Sequence, residues 1–415
     1  MSLLLRDARI VVGDGSRPPF RGALRIEGEH ILEIGPELAA RPGESVLEAD
    51  GRVLLPGFVD AHTHALFAGD RLDEFELRQQ GKSYLEILAA GGGILSTVRA
   101  VRQSSERELA DGLRERLFWM LEQGTTSMEV KSGYGLSTRE ELKMLRAIQR
   151  ATEGFPGTVV ATALLGHAID PAVPQFVEQV VTETLPAVHA EFPGLPVDAF
   201  CEQNAFSVND CRRLLQRARE LGHPLRLHAD QFTALGGLEL GLELGARSVD
   251  HLEASSRETL LALAQSDTYG VLLPVSGFHT DGRYADARSF HDAGGKLVLA
   301  SNCNPGSSPC ASLPFVIALG LRKLGLTVHE AIRACTQSAA ALLGLTDRGV
   351  LAPGMRADLI LLRHRDERLL GYELGGNPVQ TVMVGGRTVF QSASGLSSEA
   401  HAEHCATFSG LPRKR

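Results

Sequence analysis

The stretch VLLPGFVDAHTH at residues 53–64 joins an apolar run to a pair of histidines. The apolar run predicts a short buried strand, and residues i and i+2 of a strand point to the same side. His62 and His64 therefore present two imidazoles together, and neutral imidazole is a common ligand of zinc and iron. A bare His-x-His string is a weak motif. The alternative is that these are two incidental polar residues at a strand end, and the rest of the chain has to decide between this and a metal site.

Length and composition are those of an ordinary globular enzyme. Of the 415 residues, 43% are apolar and 22% charged, which suits one large barrel plus a smaller module. The net charge is -8 with both signs scattered, so no basic surface for nucleic acid is expected. The chain has no apolar run long enough for a membrane span and no signal-peptide core, which predicts a cytoplasmic protein. The six cysteines form no CxxC pair and are expected to be reduced thiols.

Between about residues 56 and 350, short apolar strands alternate with helical patterns. This rhythm is typical of repeated βα units and a parallel sheet. Eight strands are predicted, at residues 58–62, 125–131, 158–166, 196–201, 224–229, 246–251, 269–274 and 296–301. The expected fold is α/β, a (β/α)8 TIM-like barrel, in which catalytic groups sit at the C-terminal ends of the strands.

The two ends of the chain show short alternating strands separated by glycine turns, which is typical of a small antiparallel sheet. We predict that they pair into one small β-sandwich domain made of residues 1–55 and 353–395. The barrel domain would then cover residues 56–352, and residues 396–415 would form a C-terminal tail.

Histidines stand at the ends of several predicted barrel strands. His62 and His64 belong to the first, His167 to the third, His228 to the fifth and His251 to the sixth. One buried histidine is more often a structural residue than a ligand. Histidines at four separate strand ends favour a shared metal site at the barrel mouth instead.

Several strings resemble a known family. PGFVDAHTH at residues 56–64 and GVLAPGMRADL at residues 349–359 are similar to the amidohydrolase superfamily. KSGYGL at residues 131–136 and NPGS at residues 304–307 are more specific, and they resemble the imidazolonepropionase family within it. The resemblance spans residues 1–395. It implies metal-dependent hydrolysis of the ring C–N bond of 4-imidazolone-5-propanoate to N-formimino-L-glutamate, in L-histidine degradation.

The resemblance also implies roles for individual residues. The metal ligands would be His62, His64, His228 and Asn302, holding one divalent or trivalent ion, zinc or iron. The substrate-binding residues would be Arg71, Tyr134, His167, Gln231, Asn304, Gly306 and Ser307, with the guanidinium suited to the propionate arm. The catalytic residues would be His251, His167, Asn302 and Gln231, with His251 or His167 stabilising an oxyanion or carrying a proton. The partner is then a small molecule, and because related barrels are often dimers, a homodimer is one option.

Asn302 departs from the family pattern, which has an aspartate at this position. An amide oxygen is a weaker metal ligand than a carboxylate, and the amide cannot accept a proton. One hypothesis is an active enzyme in which another base, such as His251, replaces the aspartate. The second is a ligand-binding protein or a catalytically impaired variant. A third is a deaminase or cyclic amidase that acts on another heterocycle.

Three charged residues near the predicted site are assigned away from the metal. Lys131 ends the second strand, whereas the fourth strand has no lysine that could be carboxylated to bridge two ions, so one metal ion is expected. Asp230 and Asp250 each stand beside a histidine and point the opposite way along a strand, so we expect both to support the ligands from behind or to be structural, and not to bind the metal.

Overall fold

The computed structural model describes residues 2–82, 86 and 92–392, and within them two eight-stranded sheets form. The first contains β1 (Ser2–Ile10), β2 (Phe20–Glu27), β3 (His30–Gly35), β4 (Ser45–Glu48), β5 (Val53–Pro56), β14 (Leu359–Leu362), β15 (Val379–Val384) and β16 (Arg387–Gln391). The second contains β6 (Phe58–Asp60), β7 (Thr125–Lys131), β8 (Thr158–Gly166), β9 (Val197–Cys201), β10 (Arg226–Ala229), β11 (Ser248–His251), β12 (Tyr269–Leu272) and β13 (Leu297–Leu299). The second sheet is parallel, and its strand order follows the chain, which confirms the predicted barrel with a separate sheet from the termini.

The barrel strands agree with the predicted ones to within one or two residues at their ends. The difference that matters is in the first strand, which ends at Asp60 rather than at residue 62. His62 and His64 therefore lie in the segment after β6 and not in the strand itself. The buried run before them is also divided, since residues 53–56 form β5 of the first sheet and only residues 58–60 enter the barrel.

The first and last barrel strands are joined through the loops at their C-terminal ends. The Asn302 N–H donates to the carbonyl oxygen of His62 at 3.0 Å, and the His64 N–H donates to that of Cys303 at 3.0 Å. The Ser301 N–H donates to the Asp60 carboxylate at 3.1 Å, and burial raises the pKa of Asp60 to about 7. The segment that carries the histidine pair is therefore fixed by the end of the eighth strand.

Helices follow the barrel strands on the outside. In the described part of the chain they are α1 (Leu72–Gln79), α2 (Ile94–Gln103), α3 (Glu106–Glu122), α4 (Thr138–Thr152), α5 (Phe176–Gln179), α6 (Leu185–Glu191), α7 (Val208–Glu220), α8 (Gly237–Leu244), α9 (Arg257–Ala264), α10 (Pro274–His279), α11 (Ala287–Asp292), α12 (Leu313–Lys323), α13 (Val328–Ala334), α14 (Gln337–Leu343) and α15 (Leu369–Tyr372). A π-helical turn, Val180–Thr184, joins α5 to α6. Pro186 follows it and has no N–H for an i→i−4 bond, which accounts for the altered hydrogen bonding.

The terminal sheet curls back on itself around its own core. Its order is β16-β15-β14-β5-β1-β2-β3, with β4 paired to β1. The turn between β2 and β3 then meets the segment before β14, where the Ala357 N–H donates to the Glu29 carbonyl oxygen at 2.8 Å. Both chain ends therefore build one small domain.

Two faces of the terminal sheet are buried. In β5, Val53 and Leu55 pack into the large core of the barrel, whereas Leu54 packs into the separate core of the small sheet. In β14, Ile360 likewise packs into the core of the barrel, and Leu361 packs into the core of the small sheet. Alternate strand residues point to opposite faces, so continuous apolar runs place one face against each core.

Three expectations concern features outside these sheets. The proposed tail at residues 396–415, and residues 393–395 of the small domain, lie outside the described residues. Among the helices that are described, none is long and apolar enough to cross a membrane. The five cysteines in the described part of the chain carry free thiols.

Candidate metal centre

Three buried imidazoles converge at the C-terminal end of the barrel. The Nε2 atom of His64 lies 3.3 Å from that of His62 and 3.2 Å from that of His228. Zinc–nitrogen bonds of about 2.0–2.1 Å in a tetrahedron place ligand nitrogens roughly 3.3 Å apart. These two distances match that value, and all three histidines offer nitrogens within 4.8 Å of one another, so they could hold one ion together. The structure thus brings together three histidines that the sequence analysis predicts to converge from separate strand ends.

Two carboxylates orient the imidazoles from behind. Asp250 Oδ2 lies 2.6 Å from His62 Nδ1, and Asp198 Oδ1 lies 3.1 Å from His228 Nδ1. Each Nδ1–H donates to its carboxylate, so each Nε2 keeps a lone pair for the centre. Burial holds the pKa of His62 and His64 well below its usual range and lowers that of His228. All three are therefore neutral imidazoles, which is the form that binds metals.

A layer of fully buried charges lies beneath the histidines. Lys131 Nζ bonds Glu129 at 2.7 Å and Asp198 at 2.8 Å, and it lies 4.0 Å from Asp250. Arg226 bonds Glu129 at 2.9 Å and Asp250 at 2.8 Å. Desolvation would make isolated carboxylates here very costly, and the two cations offset that cost. Lys131 thus acts as the counter-ion of the carboxylates that hold the histidines.

Asn302 stands beside this centre with one polar atom unused. Its side chain is buried, and its Oδ1 has no hydrogen-bond partner among the described residues. Its backbone is left-handed, with φ 55°, a conformation that asparagine tolerates better than most residues. Three neutral nitrogens and a free amide oxygen form a donor set that fits one ion. We keep its assignment as fourth ligand as a prediction.

The rings of His167 and Tyr134 lie beside the ring of His64. The His167 ring lies parallel to that of His64, with centroids 4.9 Å apart, and 5.1 Å from the Tyr134 ring. His167 Nδ1 lies 3.0 Å from the Gly133 carbonyl oxygen, which can only accept, so this nitrogen carries the proton. Burial lowers the pKa of His167 to about 3. Its Nε2 is therefore an acceptor, but its low pKa makes it a poor proton carrier, which favours His251 over His167 for that role.

Arg71 is a largely buried guanidinium that is paired with the nearby Glu74 carboxylate. Its side chain is 10% exposed and bonds Glu74 at 2.5 Å and Thr97 at 3.5 Å, while its Nε has no partner in the described structure. Gly306 packs against the guanidinium, because a Cβ at this position would meet Arg71 Nη1 at 3.2 Å. Arg78 donates to the Gly306 carbonyl oxygen at 3.3 Å from the other side.

The loop at residues 304–307 is organised by Asn304. Its Oδ1 accepts from the N–H groups of Gly306 and Ser307, both at 2.8 Å, and its Nδ2 donates to the Asn302 carbonyl oxygen at 2.6 Å. Its side chain is thus hydrogen-bonded within the loop, and substrate binding by Asn304, Gly306 and Ser307 stays a prediction.

Replacing Gly306 with alanine is expected to raise KM about three- to tenfold with kcat nearly unchanged, because the new Cβ displaces a charged hydrogen-bonding group. Steady-state kinetics with the imidazolone that the family resemblance implies as substrate measure both constants. The matched control is Gly376→Ala, since a Cβ there also meets an arginine, Arg363 Nη2, at 3.3 Å, but on an exposed loop. If Gly306→Ala and the unmodified chain had equal KM values, Arg71 would not be a substrate-binding residue.

His251 and Gln231 complete the predicted set. His251 Nδ1 lies 3.3 Å from Glu253 Oε1, and the His251 ring centroid lies 5.5 Å from that of His228. The backbone is left-handed at His251, with φ 88°, and at Leu252, with φ 74°. Two consecutive non-glycine residues in this conformation are unusual, and tertiary contacts must stabilise them. Gln231 donates to Ser276 Oγ at 3.3 Å.

The sequence interpretation missed the groups that act on the histidines from behind. Asp198, Arg226 and Glu129 were assigned no role, and neither was Glu253. A signal existed, because Glu129 and Lys131, like Arg226 and His228, are two apart in strands buried along their whole length. Charges that share one face of such a strand must pair inside the barrel. Asp250 is predicted to support the ligands from behind or to be structural, and it bonds His62 and Arg226.

Comparison with known proteins gives a consistent result. The model of the Amidohydrolase family matches residues 68–390. The imidazolonepropionase of Herpetosiphon aurantiacus is 46% identical over 414 residues, covering 93% of this chain and 96% of its own. That of Rubrobacter xylanophilus is 42% identical, covering 93% and 98%. The crystal structure of N-isopropylammelide isopropylaminohydrolase from Burkholderia multivorans has a TM-score of 0.71 at 19% identity, over 94% of this chain and 98% of its own, a likeness of fold.

Proposed function

This chain belongs to the amidohydrolase family, and from that premise we propose that it hydrolyses the ring C–N bond of 4-imidazolone-5-propanoate to N-formimino-L-glutamate. The observation that carries the proposal is that three histidines suited to bind a metal lie next to the loop at residues 132–136. His167 links the two, because its ring stacks on His64 and lies beside Tyr134 of the loop. The curated relatives named imidazolonepropionase support it along nearly the whole chain.

One ion, zinc or iron, would be held by His62, His64 and His228, with Asn302 as the fourth ligand. Such an ion supplies a nucleophilic water at neutral pH and polarises the carbonyl under attack. The neutral state of the histidines and the two carboxylates behind them suit that role.

The remaining steps fall to side chains around this centre. Arg71 binds the propionate arm, since a guanidinium pairs with a carboxylate through charge-assisted hydrogen bonds. The accepting Nε2 of His167 binds a ring N–H. His251, held by Glu253 through Nδ1, takes a proton from the attacking water at Nε2 and returns it to the ring nitrogen that leaves. The ring opens with a new carboxylate and an N-formimino group.

The direct test is loss of the imidazolone absorbance in the presence of purified protein loaded with zinc or with iron. Metal content is measured on the same sample, and one ion per chain is expected. Absence of turnover with either metal would overturn the proposal. Turnover of purines or hydantoins in its place would favour a deaminase or cyclic amidase.

Asn302 supports a second candidate, a protein that binds the same ligand but turns it over poorly. Since His251 stands ready as a base, we expect Asn302→Asp to change kcat by less than about tenfold, well below the 10²- to 10⁴-fold that a missing general base costs. The comparison is of kcat at equal metal content. A gain of about 10²-fold or more would instead favour the impaired variant.

A further inference from the structure

The loop at residues 132–136, which carries Tyr134, is held from two sides by charged side chains of neighbouring helices. Glu141 of α4 lies on the side of its N–H groups, and Arg102 of α2 lies on the side of its carbonyl groups. Neither side chain is among the groups assigned above to metal or substrate.

Glu141 accepts three backbone hydrogen bonds from this short loop. Its Oε2 accepts from the Gly133 N–H at 2.9 Å, and its Oε1 accepts from those of Gly135 at 2.8 Å and Leu136 at 2.9 Å. The side chain is buried, with a relative exposure of 2%. A buried carboxylate is costly unless it is fully hydrogen-bonded, and here the loop itself satisfies it.

Arg102 holds the opposite edge of the same peptides. Its Nε donates to the Gly135 carbonyl oxygen at 2.9 Å, and its Nη2 donates to that of Leu136 at 2.9 Å. Asp170 fixes the guanidinium through Nη2 at 2.8 Å. The peptide that joins Gly135 to Leu136 is therefore bonded at its N–H by Glu141 and at its C=O by Arg102.

The loop needs this support because its backbone is unusual. Gly133 has φ 112°, and Leu136, which is not a glycine, has φ 50°. A left-handed leucine costs free energy, on the order of 1–3 kcal/mol, that surrounding contacts must supply. Gly135 leaves no room for movement toward α4, since a Cβ there would meet the Glu140 backbone carbon at 2.6 Å.

Glu141 and Arg102 together form what we call the Glu141 clamp, which holds residues 132–136. The Glu141 clamp is connected to the predicted substrate site through Gly133. The Gly133 carbonyl oxygen accepts from His167 Nδ1 and so sets the tautomer in which Nε2 is an acceptor. We infer that Glu141 and Arg102 are positioning residues, which fix Tyr134 and the tautomer of His167 for a substrate that offers a ring N–H. This inference rests on the proposed function for the identity of the substrate, although the clamp itself does not.

The test is Glu141→Gln, which keeps the shape of the side chain. Its NH2 group must face at least one of the three loop N–H groups, so a donor meets a donor. We expect KM to rise about tenfold, the equivalent of one charge-assisted hydrogen bond, with kcat within about threefold and metal content unchanged. Hydrogen exchange of the amides at residues 133–136 is expected to accelerate by a similar factor.

The matched control is Glu140→Gln on the same helical turn, because the Glu140 side chain pairs with Lys143 and not with the loop. It is expected to leave both readouts unchanged. If Glu141→Gln does not fold, Arg102→Gln replaces it, with the same two readouts, since Arg102 is 35% exposed.

The outcomes separate the two proposals. Unchanged exchange, or faster exchange with unchanged KM, overturns the positioning role, and so does a joint loss of kcat and bound metal. If the unmodified chain turns over no imidazolone, the proposed function fails. Exchange, together with the Kd of imidazolone-propanoate from calorimetry, then still decides the clamp.

Discussion

Replacing His251 with asparagine is expected to lower kcat by about 10²- to 10⁴-fold, the usual cost of a lost general base or acid. The proposed metal site has an amide and not a carboxylate at residue 302, so the proposed mechanism gives the proton transfer to His251. Its Nδ1 pairs with Glu253, which leaves Nε2 free to accept. Steady-state kinetics of the metal-loaded variant measure the loss.

Asparagine is the appropriate replacement because the backbone at His251 is left-handed. Asparagine adopts that conformation more readily than alanine does, so the loop is retained and the fall in kcat reports chemistry. The companion variant is Glu253→Gln, which keeps a hydrogen-bond acceptor but removes the charge. We expect a smaller loss, about tenfold. If His251→Asn kept a kcat within about threefold of the original and still bound metal, another group would carry the proton.

The candidate metal histidines can be picked out from the sequence because their signal is local. A pair two residues apart and single histidines at other strand ends need only the strand positions and the rule that barrel sites lie at C-terminal ends. Residues 62, 64 and 228 then had to meet, even though β6 ends before His62. The barrel and the small terminal sheet followed from the change in hydrophobic pattern.

The partners of those histidines could not be assigned in the same way. Asp198 and Asp250 lie on β9 and β11, and which histidine each one bonds depends on how far side chains reach across the barrel axis. The Glu141 clamp also depends on tertiary contact, since a glutamate in the first turn of a helix usually serves the helix N-terminus. Its role becomes visible only once the loop at residues 132–136 lies over it.

Lys131 connects the two levels of the site. Its ammonium group bonds Glu129 and also Asp198, whose carboxylate holds His228. Arg226 in turn bonds both Glu129 and Asp250. The five charged groups of this layer carry two positive and three negative charges. An isolated aspartate here would be protonated and would lose its hold on the imidazole. The geometry of the histidines therefore depends on an ammonium group that is not itself one of the proposed metal ligands.

Lys131→Met is accordingly expected to lower the free energy of unfolding by about 3–5 kcal/mol, the range for removing one partner of a buried ion pair. Urea unfolding of the metal-free protein measures this change. Bound metal should fall as well, since Asp198 loses one of the neighbours, with His228 and Arg226, that lower its pKa. Lost orientation of a ligating histidine typically costs about 10- to 100-fold in metal affinity.

Two further variants show whether charge is the cause. In Lys131→Met with Glu129→Gln one negative charge leaves with the positive one, so part of the lost stability should return, as in a double-mutant cycle. Lys296→Met removes an exposed lysine paired with Asp267 and should leave unfolding almost unchanged, because exposed pairs contribute little. If Lys131→Met were as stable as the unmodified chain and bound metal equally well, the buried layer would not support the histidines. If the double variant recovered nothing, the loss would come from packing around the lysine stem and not from the uncompensated carboxylates.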